Sequence, residues 1–214
     1  MDVIVDTQNL KIERLELSSF ATNAYIVICP RTGKSALIDA PAGATTLVKH
    51  LKGTQLEWIL LTHSHIDHIG GLKATRDRLV ACLAVNEADN QKWLPVKPDM
   101  ALSDGDQLMV GKVKIDVIYT PGHTPGSMCF KIGKYLFAGD TLFPGGPGRT
   151  IGPSEFKQIV ASITEKLFKL PGDTQVYPGH GPSTTLKQSK EEYRVFASHD
   201  HDSNLYGDVL WLVS

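Results

Sequence analysis

Residues 63 to 68 contain four metal-binding side chains within six positions: His63, His65, Asp67 and His68. Neutral imidazole and carboxylate groups are ligands for zinc, iron and manganese. Four such groups in one short loop cannot all reach a single ion, but two ions about 3.5–4 Å apart could share them, as in two-metal hydrolases. In an extended loop His63 and His65 point the same way, so we expect them on one ion, with Asp67 and His68 turned toward the other.

Three further residues of metal-binding type, His123, Asp140 and His180, each follow an apolar run that ends in a turn. Loops at strand ends are where a rigid scaffold presents functional groups. We expect His123 to complete the first ligand set, His180 to complete the second, and Asp140 to bridge both. The sequence therefore predicts two divalent metal ions. Zinc is the expected metal, and iron and manganese are alternatives that the same ligands accept.

The pattern of apolar residues predicts a strand before each of these positions. These strands cover residues 56–61, 112–119, 134–138 and 175–177. Further strands are predicted over 23–29, 35–39, 81–85 and 127–132, and helices over 44–51, from Gly70-Gly71, from Asn86, over 154–170 with Ser154 as N-cap, and over 187–194. Helices interspersed among many strands favour a layered α/β sandwich, which we expect to be a single domain over residues 1–214.

Composition and charge exclude several classes of partner. The formal net charge is −1, and no basic cluster suggests binding to nucleic acid or an anionic membrane. The three cysteines, Cys29, Cys82 and Cys129, are far apart in apolar stretches, so we expect buried free thiols and a cytoplasmic protein. The sequence has neither a signal peptide pattern nor an apolar run long enough to span a membrane. Its expected partner is a small-molecule substrate, and it gives no indication of oligomeric state.

The segments THSHIDHIGG, PGHTPGS, FAGDTLF and YPGHGP, in this order, resemble the metallo-β-lactamase superfamily and, within it, the glyoxalase II-like (hydroxyacylglutathione hydrolase-like) branch. The resemblance extends from NAYIV at residue 23 to the PGH that ends at residue 180. It implies a four-layer αββα sandwich with the metals at one edge of the two sheets. The family's metal ligands fall on the same seven positions inferred above.

The expected reaction is hydrolysis of a thioester or ester by a hydroxide that bridges the two metals, because bound water has its pKa lowered to about 7. Asp67 would hold and orient this nucleophile while it ligates a metal. Asp39 resembles the carboxylate with which the family braces the histidine loop, although an aspartate before Ala-Pro is also typical of a turn. Arg149 would bind an anionic substrate group or form a surface ion pair.

Two positions depart from the glutathione-binding pattern. Ile151 and Pro182 stand where glutathione-binding members carry tyrosines, and only 34 of the 214 residues follow His180, fewer than the family's helical domain needs. A different thioester, an ester or a lactone therefore remains open, which would make the protein a lactonase or a promiscuous esterase of the same fold.

A second class of enzyme also remains open. Persulfide dioxygenases share the fold and a segment similar to GPGRT at 146–150, and they hold one iron at positions of the His65, His123 and Asp140 type. Metal content would separate this alternative from the hydrolase. The remaining histidines carry weaker signals: His50 is expected to be exposed on a helix, and His199 and His201 to lie in a solvated terminal segment.

Overall fold

Two β-sheets pack face to face and helices cover the outer face of each, in a computed structural model that describes residues 1–89 and 93–213. The first sheet has seven strands that lie side by side in chain order. They are β1 (Asp2–Asp6), β2 (Lys11–Leu17), β3 (Thr22–Cys29), β4 (Lys34–Ile38), β5 (Gln55–Leu60), β6 (Cys82–Asn86) and β7 (Met100–Leu102). Strands β1 to β4 pair antiparallel, and β4 to β7 pair parallel.

The second sheet has six strands in the order β15-β14-β11-β10-β9-β8. They are β8 (Gln107–Val110), β9 (Val113–Tyr119), β10 (Met128–Ile132), β11 (Tyr135–Gly139), β14 (Gln175–Pro178) and β15 (Thr184–Thr185). Between β11 and β14 the chain forms a short hairpin of β12 (Leu142–Phe143) and β13 (Gly146–Pro147). The helices are α1 (Ala44–Leu51), α2 (Ile66–Ile69), α3 (Leu72–Arg76), α4 (Pro153–Glu165) and α5 (Leu186–Ala197), with a 3₁₀ turn at Leu167–Lys169.

Three apolar clusters define the layers. One lies between the sheets and includes Phe130 and Phe137. A second joins the first sheet to α1 and α3, and the third joins the second sheet to α4 and α5. Because both faces of each sheet are covered, central strands such as β3 are buried along almost their whole length and carry a continuous apolar run, here AYIVIC, instead of alternating. The architecture is the predicted four-layer αββα sandwich.

The structure corrects three predicted helix positions. The helix expected from Gly70-Gly71 begins earlier, because α2 starts at Ile66 inside the histidine segment and α3 follows at Leu72. The helix expected from Asn86 is absent from residues 87–89, where Asn86 ends β6 and its side chain accepts from the Ala88 amide in a turn. Residues 90–92 lie outside the described residues.

The long helix α4 is also shorter than predicted. It ends at Glu165, and its N-cap is Gly152 with Pro153 in the first turn, so Ser154 is not the cap. The Ser154 hydroxyl instead donates to Glu155 Oε2 at 2.7 Å. The short strands β7, β8, β12, β13 and β15 were not predicted.

All three cysteines are free thiols, with Cys29 and Cys129 buried and Cys82 half-buried. His50 was expected to be exposed but is half-buried, with Nδ1 3.3 Å from Glu13 Oε2. In the part of the chain that the structure describes, no helix combines the length and apolar character that a membrane crossing requires.

Candidate metal centre

All seven predicted ligands meet at one edge of the sandwich. Strands β9 and β11 both pair antiparallel with β10, and β14 pairs parallel with β11, so the carboxyl ends of all three point to the same edge. His123, Asp140 and His180 follow these ends. The histidine segment reaches the same edge from the end of β5 in the other sheet.

The first group of ligand atoms consists of His63 Nε2, His65 Nδ1 and His123 Nε2. His65 Nδ1 lies 3.0 Å from His63 Nε2 and 2.9 Å from His123 Nε2. Three ring nitrogens that face one another this closely suit a shared cation, because a tetrahedral zinc at 2.0–2.1 Å from each ligand would place the ligands about 3.3 Å apart. We call these residues the first triad.

The second triad consists of Asp67, His68 and His180. His180 Nε2 lies 3.1 Å from Asp67 Oδ2 and 3.2 Å from His68 Nε2. His68 Nε2 lies 3.4 Å from Asp67 Oδ2. The spacing again suits a single cation.

Asp140 lies between the two triads. Its Oδ1 is 3.4 Å from His68 Nε2, while its Oδ2 is 3.6 Å from His123 Nε2 and 3.7 Å from His180 Nε2. Oδ1 is buried and, within the described residues, has no partner at hydrogen-bonding geometry. A buried carboxylate oxygen without a hydrogen bond is costly unless a cation or another group satisfies it. The donor set therefore fits metal ions on both sides of Asp140.

The outward ring nitrogens fix how two of these histidines are protonated. His123 Nδ1 lies 2.8 Å from the Arg149 carbonyl oxygen, and His180 Nδ1 lies 3.1 Å from the Phe20 carbonyl oxygen. A carbonyl can only accept, so each Nδ1 carries the proton and donates it. In the neutral rings the lone pair is then on Nε2, which faces the centre, as in metal-binding histidines generally.

Asp39 connects the histidine segment to the first sheet. It is buried, and its Oδ1 accepts from the Thr62 amide at 2.8 Å. Its Oδ2 accepts from the Thr62 hydroxyl and lies 2.8 Å from His68 Nδ1. The Thr62 hydroxyl in turn lies 3.1 Å from His63 Nδ1. One carboxylate thus positions a histidine of each triad.

Burial lowers the pKa of His63 well below its ordinary value, and the nearby imidazoles of His68 and His123 act in the same direction. At His68, burial alone would lower the pKa, but the neighbouring Asp39 and Asp140 carboxylates raise it well above the ordinary value. At Asp67, burial alone would raise the pKa, but the hydrogen bond with His180 and the charge of His68 hold it below the ordinary carboxyl value. The carboxylates thus favour the charged form of His68, whereas burial favours the neutral form of His63.

Two glycines lie where any side chain would collide with the ligand residues. A Cβ on Gly179, in the PGH turn, would collide with Asp140 Oδ1 and lie 2.6 Å from His68 Cε1. A Cβ on Gly148 would collide with the Asp140 carbonyl oxygen and lie 3.4 Å from His123 Nδ1. In the sequence, Gly179 directly precedes the ligand His180, and Gly148 lies in a glycine-rich turn.

Two clefts open on either side of the centre. The larger, about 470 Å³, includes His65 and His123 of the first triad, and we call it the apolar cleft because Ile66, Ile69, Trp93, Pro125 and Ile151 line it. The smaller, about 280 Å³, includes His123, Asp140 and His180 and also Arg149 and Asp208, and we call it the Arg149 cleft. Arg149 Nε is 3.4 Å from Asp208 Oδ2, and both side chains are largely exposed.

Apart from Ile151 and the two ligands His65 and His123, sequence reasoning did not identify the residues of the apolar cleft. Ile66 stands between two ligands in the sequence, but nothing local shows that it lines a cleft, and Asp89 and Trp93 reach the site only through the fold. The C-terminal histidines do not reach it by any contact described here. The His201 ring stacks on Phe196 with centroids 3.7 Å apart, and His199 Nδ1 lies 3.0 Å from the Val195 carbonyl oxygen.

Residues 18–180 match the family model described as the metallo-beta-lactamase superfamily. The chain belongs to this superfamily. A hydroxyacylglutathione hydrolase from Polaromonas sp. is 36% identical over 161 residues, which cover 73% of this chain and 60% of that protein. The chain thus spans less than two thirds of that relative's length.

Among solved structures, the BLEG-1 B3 metallo-beta-lactamase has a TM-score of 0.76 and 30% identity, covering 84% of this chain and 96% of that chain. ETHE1 from Myxococcus xanthus has a TM-score of 0.73 and 29% identity, covering 84% and 81%. TTHA1623 in a di-iron-bound form has a TM-score of 0.71 and 28% identity, covering 83% and 96%. Superfamily membership and the two triads make this a metal-binding, hydrolase-like protein.

Proposed function

We propose that the protein is a dinuclear metallohydrolase that cleaves a thioester or ester of a small molecule into an acid and a thiol or alcohol. The observation that carries the proposal is the pair of triads joined by Asp140. His63, His65 and His123 would hold one divalent ion, Asp67, His68 and His180 the other, and Asp140 would contact both. The similarity to a di-iron structure supports two ions. Zinc, iron and manganese all suit this donor set.

When bound, the two ions would supply a Lewis acid for the substrate carbonyl and would lower the pKa of a bound water. The side chains of the centre would position the attacking water. Asp67 remains ionised near neutral pH because its pKa lies below the ordinary carboxyl value, so its carboxylate can accept a hydrogen bond from the attacking water and orient it. The Thr22 hydroxyl, 3.3 Å from Asp67 Oδ2, donates to that carboxylate and restricts its rotation.

The similarity to hydroxyacylglutathione hydrolases supports a thioester or ester as the substrate. Glutathione itself has less support, because Ile151 and Pro182 occupy the positions of the expected tyrosines. Arg149 would bind an anionic part of the substrate by exchanging its exposed ion pair with Asp208 for that group.

A persulfide dioxygenase is the second candidate, and the similarity to ETHE1 favours it together with the GPGRT segment. It would use one iron and molecular oxygen, whereas the hydrolase needs neither iron nor oxygen.

The experiment that tests the proposal combines two assays on the protein reconstituted separately with zinc, iron and manganese. Release of thiol from S-D-lactoylglutathione and from simpler acyl thioesters is measured without oxygen, with penicillin G as a comparison substrate. Oxygen uptake is measured with glutathione persulfide. We expect anaerobic thioester hydrolysis and no oxygen uptake. Oxygen uptake by the iron form without thioester hydrolysis would replace the hydrolase with the dioxygenase.

A further inference from the structure

The turn that carries His180 is held by a buried asparagine of the other sheet. This turn, residues 178–181, follows β14 of the second sheet, and we call it the PGHG turn. Asn23 is fully buried near the start of β3 in the first sheet. Its Nδ2 donates to the Pro178 carbonyl oxygen at 3.1 Å and to the Gly181 carbonyl oxygen at 3.0 Å. One side chain thus contacts the turn on both sides of the metal ligand.

The backbone and side chains around Asn23 add further contacts with the PGHG turn. The Asn23 amide donates to the Gly179 carbonyl oxygen at 2.7 Å, and Thr22 forms an antiparallel β-bridge with His180. The Tyr25 hydroxyl donates to a carbonyl oxygen of the same turn at 2.6 Å. The start of β3 therefore determines where the turn lies at the metal-binding edge.

The orientation of the Asn23 side chain is fixed, because both partners of its NH₂ group are carbonyl oxygens, which can only accept. Its Oδ1 is buried and has no hydrogen-bond partner among the described residues. A buried oxygen without a partner costs stability. The asparagine thus keeps one end unsatisfied while its other end holds the turn, which points to a role beyond stability.

The contacts of this segment go to the second triad and not to the first. The Thr22 hydroxyl donates to Asp67 Oδ2 at 3.3 Å, and His180 Nδ1 donates to the Phe20 carbonyl oxygen at 3.1 Å. Within the described part of the chain, no hydrogen bond from residues 20–25 reaches a side chain of the first triad. A change in this segment should therefore affect the two triads unequally.

We propose that Asn23 is a positioning residue for the second metal ion. Its side chain fixes the PGHG turn so that His180 Nε2 faces the other two ligands of the second triad, and it raises the affinity of that triad without touching the ion. The first triad has supports of its own, in the Thr62 hydroxyl and the Arg149 carbonyl. This inference rests on the proposed function, because it concerns the second of the two proposed ions.

The test measures the zinc dissociation constants of both ions by competition with a chromophoric chelator. The Asn23→Ala protein should bind one ion with wild-type affinity and the other about tenfold more weakly, the lower end of the usual effect of removing a group that supports a metal ligand.

Ligand variants then identify which ion is affected. In the His65→Ala protein the second triad is intact, and adding Asn23→Ala should weaken the remaining ion about tenfold. In the His180→Ala protein the first triad is intact, and adding Asn23→Ala should change its affinity by less than about twofold, because independent sites do not couple.

Ser35→Ala is the matched control, because it removes a buried hydrogen bond of the same sheet, 2.8 Å from Ser35 Oγ to Thr54 Oγ1, near the start of β4 and away from the metal edge. It should lower the urea midpoint and leave both zinc dissociation constants unchanged. Tyr25→Phe keeps the ring and removes a single hydrogen bond to the turn. It should weaken the same ion as Asn23→Ala by a smaller factor, and it serves as the test if the Asn23→Ala protein does not fold.

The failures are distinguishable. Equal weakening of both ions, or unchanged affinity of the second triad in these variants, would overturn the positioning role of Asn23 and leave the two-ion hydrolase standing. A wild-type protein that binds only one zinc ion per chain would overturn the proposed dinuclear function and this inference together.

Discussion

Asp39 adopts a left-handed backbone conformation, with a φ of 59°. A non-glycine residue in this region is strained by about 1–3 kcal/mol, and the surrounding contacts must hold it there. The Asp39 amide donates to the Leu60 carbonyl oxygen at 2.9 Å, and its carboxylate bonds the Thr62 amide, the Thr62 hydroxyl and His68 Nδ1. The sequence left open whether this residue braces the histidine segment or merely forms a turn, and these bonds favour the bracing role.

Asp39→Ala should therefore weaken metal binding about 10- to 100-fold, the usual effect of removing a group that orients a metal ligand. Asp77→Ala is the matched control, because Asp77 forms only an exposed ion pair with Lys73, one helical turn away. Metal affinity is measured by competition with a chromophoric chelator. Equal affinity of the two variants would show that Asp39 has no role in positioning His68.

Much of the centre was predictable from single residues. Residues of metal-binding type directly after predicted strands predicted which seven side chains would converge, because strand ends present side chains at a sheet edge. The residues around the centre were harder to predict from the sequence. Trp93 and Asp89 reach the apolar cleft through long-range packing, and no local pattern encodes that.

Among the elements, the short helix α2 shows why local periodicity has limits. Four residues are too few to form a helix without tertiary support. In this structure the Ala40 amide donates to the His68 carbonyl at 2.8 Å, and the Gly71 amide donates to the Ala40 carbonyl at 2.8 Å. These long-range hydrogen bonds to the segment after β4 hold the end of α2 and the turn that follows it, whereas the sequence suggested a helix that starts at the glycines.

The turn after β14 determines whether Asp140 and His68 can approach each other. Gly179→Ala should distort this approach and lower the hydrolysis rate at least 100-fold, because a displacement of about 1 Å at reacting groups has effects of that size. Gly172→Ala is the matched control, since a Cβ there meets Lys187 at ordinary contact distances of 3.5 Å and beyond. Metal content and kcat are measured for both. Full activity of Gly179→Ala would contradict the close packing described here.

A second prediction concerns the loop before β8 and the end of α4. Burial would raise the pKa of Asp104, but its hydrogen bonds with Lys166 and the Tyr119 amide lower that pKa below the ordinary value. A lowered folded-state pKa contributes stability above the unfolded-state pKa of about 4, and this contribution is lost as the pH falls through the folded-state value.

Asp104→Asn should thus reduce the urea midpoint at pH 7 and show a smaller difference from the wild type at pH 3. Both proteins are compared metal-free in chelator, so that loss of metal in acid does not enter. The Asp77→Asn variant should show little difference at either pH. A wild-type advantage over Asp104→Asn that is as large at pH 3 as at pH 7 would contradict the assigned ion pair.

At the scale of the whole molecule, the two sheets bring their strand ends to one edge, and each contributes part of both triads. The sandwich class was predictable because strands and helices are interspersed, and buried sheets read as long apolar runs. The short strands β7 and β8 were missed because three or four residues carry too little alternation. Metal ions held by ligands from both sheets should stabilise the folded protein, since an ion that binds only the folded state shifts the folding equilibrium toward it.

The measurement that tests the central claim most directly is a metal titration of activity. Metal-free protein is loaded with increasing zinc, and anaerobic thioester hydrolysis is plotted against bound ions per chain. We predict that the rate keeps rising until two ions are bound, and that Asp140→Asn neither binds the second ion nor reaches the wild-type rate. A rate that reaches its maximum at one ion per chain, or an Asp140→Asn variant with two ions and full activity, would contradict a dinuclear centre bridged by Asp140.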